Sequence, residues 1–92
     1  MPLSEQEFRD WFNQLGDWFE VEQDVGTDRE AFERTCNAKI RERWPDLDPD
    51  QQIDLVMLLA QLAKECSMMC WFRLNPADRV IELSFNDPNL GA

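Results

Sequence analysis

Apolar residues at Phe8, Trp11, Phe12 and Leu15 fall at i, i+3, i+4 and i+7, the spacing that gathers side chains on one helix face. Ser4 and Glu7 stand at capping-box spacing, and Leu3 with Phe8 brackets the cap as a hydrophobic staple. Gly16 reads as a C-terminal stop. The next segment, Asp17 to Val25, is ambiguous. Trp18-Phe19-Glu20-Val21-Glu22 alternates in part, which sets Phe19 and Val21 on one side of a strand, while a loop or a second short helix stays open. Gly26 breaks this segment. Thr27 and Glu30 form a second capping box, opening a helix from about Asp28 to Arg43 that Trp44-Pro45 closes, with Phe32, Cys36, Ile40 and Trp44 as its apolar stripe.

A third helix has Asp48 as N-cap, Pro49 at the favoured first position and Gln51 at the box position. From Ile53 to Ala63 it is apolar on nearly every side, the pattern of a helix buried centrally against several neighbours. After Cys70 the period drops to two. Trp71-Phe72-Arg73-Leu74, a turn at Asn75-Pro76-Ala77-Asp78, and Arg79 to Phe85 read as a hairpin, with Ile81, Leu83 and Phe85 facing inward and Asn86-Asp87-Pro88-Asn89 ending it. The expected fold is α+β: three helices packed with a C-terminal antiparallel β-hairpin, with residues 18–23 open as a third strand. No linker, repeat or low-complexity stretch divides the chain, so residues 1–92 are expected to form one compact domain.

Composition narrows the class. An apolar content of 43%, with four Trp and six Phe, is too rich for a disordered acidic tail. The longest apolar run carries Asp54 and Gln61 and falls well short of the roughly 20 residues that span a bilayer, so no membrane association is expected. The opening Met-Pro-Leu-Ser-Glu-Gln-Glu has neither the basic start nor the apolar stretch of a signal peptide, and three cysteines fit poorly with a disulfide framework. Both point to a cytoplasmic protein with reduced thiols.

Candidate chemistry is thin. The chain has no His and no Tyr, and its only glycines are Gly16, Gly26 and Gly91, so the usual general base, nucleophile pairs and phosphate-cradling loops have no material. Asp46, Asp48, Asp50 and Asp54 match four positions of a calcium-loop template, but Gln51 and Met57 replace its Gly and its bidentate Glu. Helix capping explains those acids better. Cys66 and Cys70 lie four apart, as on one helix face; with Cys36, in apolar surroundings, they read as packing thiols, although Lys64 and Arg73 leave a reactive one open. Carboxylate pairs such as Glu5/Glu7 or Glu20/Glu22 lack the pocket that acid-base catalysis needs. No enzymatic activity, cofactor or metal is therefore expected.

Charge is where the sequence departs most from an ordinary small domain. The chain carries 19 acidic and 9 basic residues, a net charge of -10. Residues 1–33 hold ten of the acids against Arg9 and Arg29, while residues 34–44 reverse the sign through Arg34, Lys39, Arg41 and Arg43. Carboxylates one helical turn apart are spaced roughly like backbone phosphates, so an acidic helix face can occupy a groove built for nucleic acid. In the acids of residues 1–33, together with Asp46, Asp48, Asp50 and Asp54, the chain resembles the small phage-encoded anti-defence proteins, the anti-CRISPR and anti-restriction inhibitors. That resemblance implies a non-catalytic inhibitor in the host cytoplasm that blocks the nucleic-acid site of a defence nuclease or surveillance complex. The partner is then a basic protein surface, not nucleic acid itself. An immunity protein or a secretion chaperone, also small and acidic, is the alternative.

The residues assigned to that surface are Asp17, Glu20, Glu22, Asp24, Asp28, Glu30 and Glu33. Reversing Glu20, Glu22, Asp24 and Asp28 to Lys is expected to abolish binding with the fold intact. Among the aromatics, Trp11 and Trp71 read as core. Trp18 and Trp44, placed at element ends, read as interface anchors for a target or for a second copy of the chain.

Overall fold

The computed structural model describes residues 3–24 and 28–85. Three helices, α1 (Glu5–Asp24), α2 (Arg29–Arg43) and α3 (Pro49–Glu65), precede a hairpin of β1 (Trp71–Leu74) and β2 (Ile81–Ser84), and a 3-10 turn, Trp44–Asp46, joins α2 to α3. The fold is α+β, as the pattern predicts.

The first capping box forms in both directions: the Glu7 amide donates to Ser4 Oγ at 3.1 Å, and the Ser4 amide to Glu7 Oε1 at 3.3 Å. Gly16, however, stops nothing. Helix α1 continues for two more turns, and residues 18–23 are helical rather than a third strand. The reason lies in the side chains. Phe8, Leu15 and Phe19 are all buried, extending one stripe past the glycine, whereas Val21 is 59% exposed, so Phe19 and Val21 point apart. Full burial of Phe19 contributes about 1.5–3 kcal/mol, which outweighs the cost of about 1 kcal/mol for a mid-helix glycine.

Helix α2 begins on Asp28, whose Oδ1 accepts from the Glu30 amide at 3.1 Å; Thr27, the expected cap, lies outside the described residues. Its stripe of Phe32, Cys36 and Ile40 is buried as expected, with Trp44 half-buried at its end. Helix α3 carries the complete Asp48–Gln51 capping box with Pro49 in the first turn. Its expected central burial is not found. Leu55, Leu59, Leu62 and Ala63 are buried, but Ile53 is 58% and Met57 64% exposed, because α3 packs on α1 along one side only.

Cys66 and Cys70 do not share a helix face. Helix α3 ends at Glu65, where Met68 N donates to Ala63 O at 2.8 Å and Ser67 N to Lys64 O at 3.1 Å, around Ser67 at φ 56°. That is a left-handed helix cap with Ser in the position Gly usually takes, and it sends Cys70 off toward the hairpin. In the hairpin, Phe72 faces Leu83 and Leu74 faces Ile81, and the turn at residues 75–78 is held by Asn75 Oδ1, which accepts from Ala77 N at 2.8 Å. The Asn86–Asn89 terminator lies outside the described residues.

The hairpin is fixed to α2 through its free edge. Asn37 donates from Nδ2 to Leu83 O at 2.9 Å and accepts at Oδ1 from Leu83 N at 2.8 Å, as a neighbouring strand would. Glu33 Oε1 accepts from Phe85 N at 2.8 Å. An edge that would otherwise invite another chain is thereby closed by helix side chains. Arg41 reinforces the joint, pairing with Asp78 in the turn and lying 3.7 Å from Glu82 Oε2 on β2. One apolar cluster links the three helices to Leu83 and Phe85. Within it Phe19 meets Phe32 edge-on at 5.0 Å, and Phe32 stacks on Phe85 at 5.4 Å. Trp11 packs against this cluster, but Trp71, expected in the core, is partly exposed and lies outside it, across the hairpin from Ser84.

Candidate functional site

Helices α1 and α3 run parallel. Leu3 N donates to Asp46 O at 3.0 Å and Gln51 Nε2 reaches Leu3 O at 3.5 Å, which ties their N-termini together. At the other end, Glu20 and Glu65 border the same groove. This groove between α1 and α3 encloses about 870 Å³. Its floor is apolar, made by Phe8, Phe12, Leu58 and Leu62, with Met57 at its margin.

Its rim is acidic. Among the described residues, Glu5, Glu20, Asp48, Asp50, Asp54 and Glu65 line it against a single basic side chain, Arg9, whose Nη2 already lies 3.3 Å from Glu5 Oε1. The acids at the two ends differ in kind. Glu5, Asp48 and Asp50 stand at helix N-termini, where the backbone dipole favours negative charge. Glu20, Glu22, Asp24 and Glu65 stand toward the C-termini of two parallel helices, where it disfavours them, and the last turn of α1 holds no basic residue. Among the described residues, none of Glu20, Glu22 or Asp24 makes an ion pair. The combined field reaches Cys66, whose thiol is raised by burial first and then by Glu20, Glu65 and Asp24.

No family model matches the chain, and no curated protein or solved structure is similar to it. The site therefore rests on its own geometry.

The structure divides the residues expected on the acidic surface. Asp17, Glu20 and Asp24 are exposed on α1, and Asp10, Asp17 and Asp24 recur every seven residues along its outer side. Glu22 is half-buried. Asp28 is the N-cap of α2, Glu30 sits in its first turn, and Glu33 holds the Phe85 amide, so these three belong to the α2 scaffold. Trp18 is not at an element end. It lies inside α1, stacked on Phe32 at 5.1 Å with Lys39 Nζ 5.0 Å from its ring centre. Trp44 does sit at an element end, half-buried against the core.

Glu65, by contrast, joins the site without having been expected there, while Glu5, Asp48, Asp50 and Asp54 belonged to the acids behind the resemblance but were not assigned to the binding surface. The signal was present in part: Asp54, Leu58, Gln61 and Glu65 form one helical stripe, as do Glu5, Arg9, Phe12, Gly16 and Glu20. What joins the two stripes is the pairing of α1 with α3.

Two of the four basic side chains in the basic stretch of α2 are engaged within the fold, Arg41 on the hairpin and Lys39 on Trp18. Burial disfavours the thiolate form of all three cysteines. Burial pushes both Cys36 and Cys70 up to about 12, with Glu33 adding to the rise at each. Among the described residues, no three Cys, Asp or Glu side chains converge to hold a metal ion, and no helix is long and apolar enough to cross a membrane.

Proposed function

We propose that this chain is a non-catalytic binding protein that masks a basic, nucleic-acid-binding surface of a partner, in the manner of the small anti-defence inhibitors it resembles. The observation that carries this reading is the rim of six carboxylates facing one already engaged arginine around an open groove. Solubility alone needs charge anywhere on the surface; it does not need carboxylates gathered at the unfavourable ends of two parallel helices.

The test is capture from a candidate host lysate with the intact chain and with Glu20, Asp24, Asp54 and Glu65 changed together to Lys. Asp28 is left untouched because it caps α2. The intact chain should retain a nucleic-acid-binding protein that added duplex DNA or RNA displaces. Retention should also fall steeply as salt shortens the screening length from about 10 Å at 0.1 M to about 3 Å at 1 M. Equal capture by the charge-reversed chain defeats the reading.

One observation favours the immunity-protein or chaperone alternative. The floor at Phe12 and Leu58, with Met57 at its margin, offers apolar contact that a mimic of a phosphate backbone does not require. Retention that survives both nucleic acid and high salt selects that alternative.

A further inference from the structure

We infer that the groove between α1 and α3 receives a single cationic amphipathic helix from the partner. This rests on the reading above in taking the partner to be basic, and it adds the form in which that partner presents its charge.

Shape supplies the first argument. Glu5 to Glu20 on α1 and Asp50 to Glu65 on α3 each span fifteen residues, about 22 Å at the helical rise, so the two acidic rims are as long as four turns of helix. Between them the floor of Phe8, Phe12, Leu58 and Leu62 matches an apolar stripe at i, i+3, i+4 and i+7. Charge supplies the second. A helix seated apolar side down places its flanking Lys and Arg beside Glu20, Asp54 and Glu65, none of which forms an ion pair among the described residues. Laid antiparallel to α1 and α3, it also brings its positive N-terminal end to their shared negative pole. Nucleic acid and anionic lipid surfaces are repelled by the same rim.

Gly16 supplies a third argument. It lies one turn from Phe12 and one turn from Glu20, both of which line the groove, and a Cβ built on it meets nothing within 4 Å. No packing inside the chain requires a glycine there. Gly16 is not itself among the lining residues, but the open space at its Cβ position, between Phe12 and Glu20 on the same helix face, is a notch where a second backbone can approach closely.

The experiment uses the full chain and two labelled synthetic peptides of about eighteen residues, identical in composition. One is arranged as an amphipathic Leu/Lys/Arg helix; the other is scrambled so that no apolar stripe forms. Fluorescence anisotropy should show the amphipathic peptide binding at least tenfold more tightly than its isomer. Gly16→Trp, which fills the notch, should weaken it at least tenfold. Met57→Lys, at a side chain 64% exposed and thus safe for the fold, should weaken it as well. Circular dichroism checks that both variants remain folded.

Equal binding of the two peptides, or unchanged binding by both folded variants, overturns the groove. If that equal binding disappears on reversing Glu20, Asp54 and Glu65, the acidic-surface reading stands without it. No binding of either peptide also overturns the groove, and lysate capture, which does not depend on it, then decides the acidic surface.

Discussion

Replacing Asn37 tests whether α2 holds the hairpin in the way its geometry indicates. The carboxamide satisfies both backbone groups of Leu83, at 2.8 and 2.9 Å, on the edge of β2 that faces away from β1. Asn37→Ala leaves a partly buried N–H and C=O without partners. At about 1–3 kcal/mol for each unsatisfied buried group, and with water able to reach part of the site, the loss should come to about 2–4 kcal/mol. Alanine is the better helix former by several tenths of a kcal/mol, so propensity works against the loss and cannot produce it. With about 4–8 °C per kcal/mol for a domain of this size, thermal unfolding monitored by circular dichroism should fall by about 10–25 °C. Native-state hydrogen exchange should show the Leu83 amide losing most of its protection. Asn37→Asp separates the two bonds: it keeps the acceptor for Leu83 N but loses the donor for Leu83 O and sets a carboxylate beside a carbonyl. Its deficit relative to the native chain should shrink as pH falls and the introduced carboxyl regains a proton to donate. A loss below about 1 kcal/mol in Asn37→Ala, with Leu83 still protected, refutes the strand-like role.

Three further outcomes follow from the backbone and the thiols. Gly16→Ala adds a Cβ that meets nothing within 4 Å inside α1, so it should stabilise by about 1 kcal/mol in urea unfolding. Ser67→Gly relieves a left-handed residue at φ 56° in the α3 cap and should gain about 0.5–1 kcal/mol by the same measurement. Cys36 is raised from its ordinary value of 9.0 to about 12, so its contribution is fully present below pH 9 and is lost as pH rises toward 12. Stability should therefore decline above pH 9, by up to about 1.4 kcal/mol per pH unit from this thiol, and Cys36→Ala should flatten that slope.

Most of the fold was legible in the sequence because its signals were local. The Ser4–Glu7 and Asp48–Gln51 boxes, the stripe of Phe32, Cys36 and Ile40, and the turn at Asn75 each lie within a few residues of their partners, and each forms as its spacing predicts. The misreadings arose where tertiary packing overruled a local sign. Gly16 reads as a stop until Phe19 is seen buried beside Phe32. The all-round apolar α3 reads as central until its Ile53–Met57 side is found uncovered. Asn37, one polar residue among many on α2, carries no mark in the sequence of the strand edge forty-six residues away that it satisfies. The acidic site was half legible for the same reason: its charge could be counted along the chain, but the groove exists only where the parallel pairing of α1 and α3 joins two distant stripes.

That pairing also separates acids that stabilise the fold from acids that do not. Asp28 caps α2, Asp48 caps α3, Glu7 closes the first box and Glu33 holds Phe85, so each has a structural reason that would survive in the absence of any partner. Glu20, Asp24 and Glu65 have no such reason. They crowd the negative ends of two aligned helix dipoles, repel one another, and add to the rise that burial gives the Cys66 thiol. Natural chains sit close to their stability threshold, and a small domain already at -10 has little to gain from more repulsion placed there. The proposed cationic helix in the groove would act on these terms together: the C-terminal end of α1, which holds no basic residue, would gain a counter-charge, Glu20 and Glu65 would gain ion-pair partners, and Met57 would leave water. Under that proposal the unfavourable arrangement in the free chain becomes the favourable half of a complex.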